Sequence, residues 1–325
     1  MNIVIVGDGQ WSKNFQRLIN LNYKDLNIYA IVDPAVSKKK SNVLRVSSIF
    51  ELEEELENID IAIICSPTVT HYEITKFFLT NKVHCLVEKP LVTKSNEVDE
   101  LFTIANKNKV TLSVDHIYLE HNAIKKIIEI IQSKELGEIL HMSFSRTNLG
   151  PIRTDVNSMW DLATHDISIL QALTDQDPIA INANGYTKLN NEIYDMVNIS
   201  LDYKNFFVTI FSSWLHPSKE RVMKIVGTDK MLIFDEMNVS ETIKIYDKKI
   251  GDSNVSAPGN FGSYYSFKVG NVVSPFIANA EPLDSIFKNF ILKVSNNQID
   301  NKLEYDRAHK VISLLENIQH QLDSK

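Results

Sequence analysis

Met1-Asn-Ile-Val-Ile-Val-Gly-Asp-Gly-Gln-Trp-Ser12 opens the chain, and its reading decides the fold. Asn2–Val6 has the composition of a buried strand and runs directly into Gly7-x-Gly9-x-x-Ser12. A helical pattern follows, with Phe15, Leu18 and Ile19 on one face. Gly7 permits a tight turn, Gly9 lets a pyrophosphate approach the backbone, and the helix start offers N–H groups and a partial positive charge. Ser12 replaces the third glycine and is small enough for close helix–strand packing. With a strand before it and a helix after it, the motif predicts a dinucleotide site built from Gly7, Gly9, Gln10, Trp11 and Ser12. Asp33 ends the next apolar run, Ile28–Asp33. A carboxylate there accepts hydrogen bonds from ribose hydroxyls and repels the extra phosphate of NADP, so NAD is the expected cofactor. The alternative for Asp33-Pro34 is a plain turn. Lys38–Lys40 is either a neighbour for a 2′-phosphate or a solvated loop.

The remaining sequence extends this fold class. The chain has 325 residues, 44% hydrophobic and 23% charged, which is ordinary globular usage and long enough for two domains. A net charge of −7 argues against nucleic acid as a partner. No apolar run is long enough to span a bilayer and no signal peptide is present, so no membrane partner is expected. Cys65 and Cys85 sit in apolar runs and read as small buried hydrophobes in a reducing, cytoplasmic compartment. The nine histidines show no metal-ligand spacing, and no metal is expected.

Strands and helices alternate through the first third: strands at 28–32, 60–65, 83–87 and 110–114, helices at 11–21, 71–81 and 95–106, and a short helix begun by a Ser48/Glu51 capping box. This rhythm calls for a doubly wound parallel sheet, a Rossmann domain at 1–118. From 119 to 325 the pattern becomes α+β. A helix at 122–132 precedes alternating runs at 139–145, 179–186, 196–203, 206–211, 221–226, 231–234 and 242–246, which predict an open, mostly antiparallel sheet. A helix interrupts them at 161–173. Residues 251–280, with Pro258, Gly259, Gly262 and Pro275, read as irregular, and a final helix at 303–322 is expected to pack back on the first domain.

Val83-His-Cys-Leu-Val-Glu88-Lys89-Pro90 delivers a charged pair to the carboxyl edge of the sheet, where open α/β folds bind ligands. A desolvated lysine beside a cofactor exchanges protons with a substrate hydroxyl; a cis Lys89–Pro90 bond is a plausible companion. On the 161–173 helix, Asp161, His165 and Ser168 fall at i, i+4 and i+7 and share a face. Lys89 and His165 are both candidates for the base, and the spacing does not choose between them. Arg146, Arg153, Arg221 and Lys224 are candidates for a diphosphate, with solvated surface charge as the alternative. His116 and Tyr118 either pack on the cofactor or close the seam between domains.

Gly7-x-Gly9-x-x-Ser12, Ser66-Pro67-Thr68-x-x-His71, Glu88-Lys89-Pro90 and Asp161-x-x-x-His165 together resemble the glucose–fructose oxidoreductase / inositol dehydrogenase / MocA family, in order along the whole chain. The resemblance implies a Rossmann domain followed by an open-faced α/β domain, and a homodimer or homotetramer formed through that second sheet. It implies that Lys89 is the acid/base lysine, that Asp161 and His165 face the substrate, and that Ser66, Pro67, Thr68, His71 and Glu88 line the cofactor. Ser145–Arg153 and Trp160–Ser168 look like the branch that oxidises nucleotide-linked sugars, the UDP-N-acetylglucosamine and UDP-N-acetylglucosaminuronate 3-dehydrogenases of bacterial glycan biosynthesis. Ser158-Met-Trp160 stands where the wider family has a Gly-Gly pair before Asp161. The expected activity is therefore an NAD-dependent dehydrogenase of a nucleotide sugar, with Arg146, Asn148, Arg153, Trp160, Asp161, His165 and Arg221 at the substrate. The rival readings are a reductase of a nucleotide-linked keto sugar, a free-sugar or inositol dehydrogenase, and a ligand-sensing protein on the same scaffold.

Overall fold

The computed structural model describes residues 1–35, 43–189, 193–250, 267–297 and 299–324. The chain divides into two compact units, Met1–Glu120 with Ala280–Glu316, and His121–Asn279 with Asn317–Lys325. Residues 280–316 group with the first unit, although they follow the second in the chain.

The first unit is built on a six-stranded, fully parallel sheet. Its strands are β1 (Asn2–Val6), β2 (Asn27–Val32), β3 (Leu44–Val46), β4 (Ile61–Ile64), β5 (His84–Glu88) and β6 (Leu112–Asp115), in the order β3-β2-β1-β4-β5-β6. The chain starts mid-sheet, runs to one edge and returns to the other side of β1, so the crevice at the carboxyl ends of β1 and β4 is the topological switch point. Every residue of β4 is buried, as a central parallel strand covered on both faces requires. Helices α1 (Gln10–Asn22), α2 (His71–Thr80) and α3 (Ser95–Asn108) make the crossovers. On α1, Phe15, Leu18 and Ile19 are buried in the core together with Ile3, Ile5 and Ile31.

Three elements depart from the sequence reading here. The segment after Ser48 is a 3₁₀ helix, Ile49–Asn58, although its capping box forms as expected. Strand β3 is only three residues long and carries no alternation to reveal it. The third is a helix, Pro282–Ser295, which brings Leu283, Phe287 and Phe290 into the same core. Its signals were present in Pro282 at the first turn and apolar residues at i, i+4 and i+7.

In the second unit, α4 (Asn122–Gln132) precedes an eight-stranded sheet. Its strands are β7 (Ile139–Leu149), β8 (Ala180–Tyr186), β9 (Met196–Asp202), β10 (Phe207–Ser213), β11 (Leu215–Gly227), β12 (Met231–Asp235), β13 (Ile243–Ile250) and β14 (Phe267–Val273). The order is β14-β13-β12-β11-β7-β10-β9-β8, antiparallel except where β10 lies parallel to β7. Residues 267–273 are therefore a strand within the stretch read as irregular; Pro258, Gly259 and Gly262 lie outside the described residues. Along β7 the residues alternate, with Met142, Phe144 and Arg146 buried and His141, Ser143 and Ser145 partly exposed. The helix expected from Asp161 begins as a π turn, Met159–Ala163, and continues as α5 (Thr164–Leu173).

Candidate active site

In the first unit, Gly7 has φ +96°, and a Cβ there would lie 2.7 Å from the Cys65 carbonyl oxygen, so both its conformation and its neighbour require glycine. A Cβ on Gly9 would meet nothing within 4 Å. Gly9 is the N-cap of α1; no side chain caps the helix, and its first turn has no acidic residue. The start of α1 therefore presents backbone donors and an uncompensated dipole beside an open backbone, the properties a pyrophosphate requires. Ser12 is fully buried and its hydroxyl donates to the Gly9 carbonyl at 2.9 Å, which fits the packing role read for it. Gln10 and Trp11 are exposed at the same helix start.

Asp33 follows β2 and faces the glycine loop: its Oδ2 accepts the Asp8 backbone N–H at 2.7 Å, and its Oδ1 that of Ala35 at 2.8 Å. Each oxygen keeps a lone pair for a ribose hydroxyl. Asp8 in turn accepts from Arg45 at 2.8 Å and Gln16 at 3.0 Å. Burial opposes ionisation of Asp8, but the Arg45 and Gln16 bonds outweigh it and hold the carboxyl below its ordinary range. Lys38–Lys40 lie outside the described residues.

After β4, Ser66 and Thr70 join hydroxyls at 2.7 Å, and a single 3₁₀ turn, Thr68–Thr70, leads into α2. The structure corrects the role of His71. Its ring is buried, with Nδ1 2.9 Å from the Pro90 carbonyl and Nε2 2.9 Å from the Ser66 carbonyl. It is a strut joining the Ser66 and Lys89-Pro90 segments rather than a wall of the cofactor path. Thr68 is likewise buried, and Pro67 is exposed.

The Lys89–Pro90 peptide is cis. Lys89 stands just past the end of β5, and its backbone N–H donates to Glu88 Oε2 at 3.1 Å. Glu88 is partly exposed at the end of β5, and Asp115 is its register partner on β6. Asp115 is 1% exposed, and its Oδ2 accepts the Trp11 indole N–H at 3.3 Å. Burial first, and then the neighbouring Asp115 charge, push the Glu88 carboxyl well above its usual range. Burial likewise raises Asp115 to about 6, against the opposing effects of the Glu88 hydrogen bond and Lys89. His116 is buried, which lowers it to about 4 with help from Arg307 and Lys89; Tyr118 is half-buried. Sequence reasoning missed Asp115. Its signal is the same as that of Glu88, an acidic residue ending an apolar strand at the carboxyl edge.

In the second unit, Asp161 lies in the π turn and His165 on the first turn of α5, both half-buried. Asp161 Oδ2 accepts the Trp214 indole N–H at 2.9 Å, and its Oδ1 lies 3.4 Å from Arg153 Nη1. Trp214 is fully buried, which makes it a firm anchor for that carboxylate. Ser168 does not join the shared face, because it is buried and its hydroxyl donates to the His165 carbonyl at 2.7 Å.

Four substrate candidates are corrected. Arg146 is buried, and its Nε and Nη2 both donate to Asp166 Oδ1, at 2.9 and 2.8 Å. Arg221 donates to the Thr147 carbonyl at 2.8 Å, the Glu220 carbonyl at 2.6 Å and Asn148 Oδ1 at 2.8 Å, so it braces β7 rather than facing a ligand. Asn148 is bound from both sides, since its amide donates to the Gly150 carbonyl at 2.6 Å. Trp160 is 5% exposed and its indole donates to Gln319 at 3.1 Å, placing it in the core. Arg153 is partly exposed but grips Asp155 with Nε and Nη2 at 2.8 and 2.6 Å. Lys224 is exposed on β11. Among the described residues no group of three or more His, Cys, Asp or Glu could hold a metal, and no helix is long and apolar enough to cross a membrane.

Comparison with known proteins agrees with this architecture. Residues 1–116 match the model of an oxidoreductase family with an NAD-binding Rossmann fold, and residues 124–233 match the GFO/IDH/MocA C-terminal domain. A UDP-N-acetylglucosamine 3-dehydrogenase of Acidithiobacillus ferrooxidans is 26% identical over 210 residues, 64% of this chain. The chain spans 65% of that relative's length in the aligned stretch. A crystal structure of the enzyme of that name from the same organism superposes with a TM-score of 0.77 at 17% identity, covering 100% of this chain and 98% of the other. The scyllo-inositol dehydrogenase of Lactobacillus casei, solved with NAD(H) and scyllo-inositol, superposes with a TM-score of 0.76 at 14% identity, covering 100% and 97%.

Proposed function

Because the chain belongs to the GFO/IDH/MocA oxidoreductase family, with its NAD-binding Rossmann fold, we propose that it is an NAD-dependent dehydrogenase of a nucleotide-linked sugar. In this reading it oxidises a secondary alcohol, C3 of a UDP-N-acetylhexosamine or its uronate, to a keto sugar used in glycan assembly. The observation that carries the dehydrogenase reading is the position of Lys89, set past the end of β5 on the sheet edge that also carries the open Gly9 backbone and Asp33. Bound NAD supplies the hydride acceptor. Gly9 and the start of α1 hold its diphosphate, Asp33 holds its adenosine ribose, and Lys89 Nζ takes the proton of the substrate hydroxyl. His165, the alternative base, and Asp161, fixed by Trp214, are the polar candidates of the second unit.

The nucleotide-linked substrate is supported by the relative named for UDP-N-acetylglucosamine. A free cyclic polyol is the second reading, and one observation favours it: Arg146 and Arg221 are committed to Asp166, Asn148 and backbone carbonyls, which leaves a diphosphate fewer guanidinium partners. A homo-oligomer through the eight-stranded sheet is supported by its partly exposed face, where Phe207 stacks on His141 at 4.3 Å. The cytoplasmic assignment rests on two cysteines that remain free thiols.

Purified protein supplied with NAD and a panel of UDP-N-acetylhexosamines, their uronates and inositols tests the reading. NADH formation with the nucleotide sugars is expected. Turnover of inositols alone moves the assignment to the second reading, and silence on both with NADH binding intact leaves a ligand-sensing protein.

A further inference from the structure

The carboxyl end of the parallel sheet also holds a pair of acidic side chains, Glu88 and Asp115. Glu88 and Asp115 end β5 and β6 as register partners, and each carboxyl influences the ionisation of the other. If both were ionised, Glu88 Oε1 and Asp115 Oδ1 would each be shut away from solvent with nothing donating to them. Two like charges on register-paired carboxyls, each with an oxygen closed to solvent, are strongly disfavoured. One proton between them removes the repulsion and gives each inner oxygen its hydrogen bond. The outer oxygens are then left to hold the neighbouring chain: Glu88 Oε2 takes the Lys89 backbone N–H at 3.1 Å, and Asp115 Oδ2 takes the Trp11 indole at 3.3 Å.

We propose that Glu88 and Asp115 hold a single shared proton at neutral pH, and that the resulting acid–carboxylate pair fixes the Lys89 backbone and the start of α1 at the end of the sheet. Asp115 is then a positioning residue acting through Lys89 and Trp11, and the assignment of its effect on turnover rests on the reading of Lys89 as the acid/base group. The surroundings agree with a retained proton. The groups that influence the pair are the Lys89 ammonium, which favours ionisation, the Cys65 thiol after β4, and His116 beside Asp115. The Cys65 thiol is itself raised, by burial and then by the two carboxyls, and His116 is held neutral by burial. Arg307 acts on His116. Among the described residues, Lys89 is the group of these that opposes a retained proton on the pair.

Infrared spectra of the protein without substrate, with isotope-labelled aspartate and glutamate, test the shared proton directly. A carboxylic-acid band persisting at neutral pH and absent from Asp115→Asn is the expected result; no such band in the parent overturns the proposal whatever Lys89 does. Kinetics test the positioning. The parent should show an alkaline fall in kcat as the shared proton leaves; Asp115→Asn, which supplies a permanent donor to Glu88, should keep kcat within about threefold and lose that fall. Asp115→Ala should lower kcat by about tenfold or more, with the Trp11 emission altered relative to a Trp11→Phe control. Equal losses in the Asn and Ala variants, or an unchanged alkaline limb in Asp115→Asn, overturn the positioning role. Full turnover by Lys89→Met with the infrared band intact would instead overturn the Lys89 reading.

Discussion

The carboxyl edge of the six-stranded sheet and the Arg146–Asp161 stretch of the second unit treat polar groups in opposite ways. At the sheet edge the ligand-binding equipment is largely backbone: a glycine opening on empty space and a helix start that no side chain caps. In the second unit the equipment read from the sequence was charged side chains, and Arg146, Arg153 and Arg221 are each committed to acceptors of their own chain. A backbone motif cannot satisfy itself without destroying its own geometry, so its donors remain for a ligand. A guanidinium near an interior finds a carboxylate or a carbonyl, because leaving it unpaired there costs several kcal/mol.

Breaking the buried pair is the strongest way to test that contrast. Arg146→Met should destabilise the protein by about 3–5 kcal/mol, because it leaves Asp166 buried and charged. Adding Asp166→Leu should restore most of the loss, and urea unfolding measures both. If instead Arg146→Met were stable and raised only KM, the arginine would belong to the substrate after all. A second comparison separates two glycines of the same loop. Gly7→Ala forces a Cβ to 2.7 Å from the Cys65 carbonyl oxygen at positive φ, and should cost about 1–3 kcal/mol of stability. Gly9→Ala should leave the unfolding curve in place and weaken NADH binding by about tenfold, read by fluorescence titration.

The smallest effect concerns pH. Glu88 and Asp115 bind their proton more tightly in the folded chain than in the unfolded one, Asp115 being raised from 3.8 to about 6 and Glu88 held above its usual range. Where the native state holds the extra proton, stability falls as pH rises, starting from the ordinary carboxylate range and continuing through the raised values. Asp115→Asn removes that loss. It should be more stable than the parent at about pH 8 by on the order of 1–2 kcal/mol and show no such advantage near pH 4.

Legibility in the sequence followed the same division. The strand–glycine–helix opening, the parallel order and the mostly antiparallel second sheet were readable because hydrophobic period and glycine placement are local properties. Strand β3 and the helix at Pro282–Ser295 escaped, the first for its three-residue length and the second for lying in 281–302, a stretch given no reading between the irregular segment and the final helix. Arg146 was misread although the clue was present. On a strand with period two it shares a face with Met142 and Phe144, and that face is the core. What the sequence withheld was Asp166 as its partner, a contact that only folding brings about. Glu88 was flagged by its motif and Asp115 was not, although the two are register partners on adjacent strands and Glu88 accepts the Lys89 backbone N–H.

The most direct test of the central claim is a paired measurement on Lys89→Met: NADH affinity by fluorescence and turnover with NAD and the substrate identified from the panel. The account predicts a dissociation constant within about threefold of the parent and turnover reduced by about a thousandfold or more. Turnover within about tenfold of the parent would contradict it.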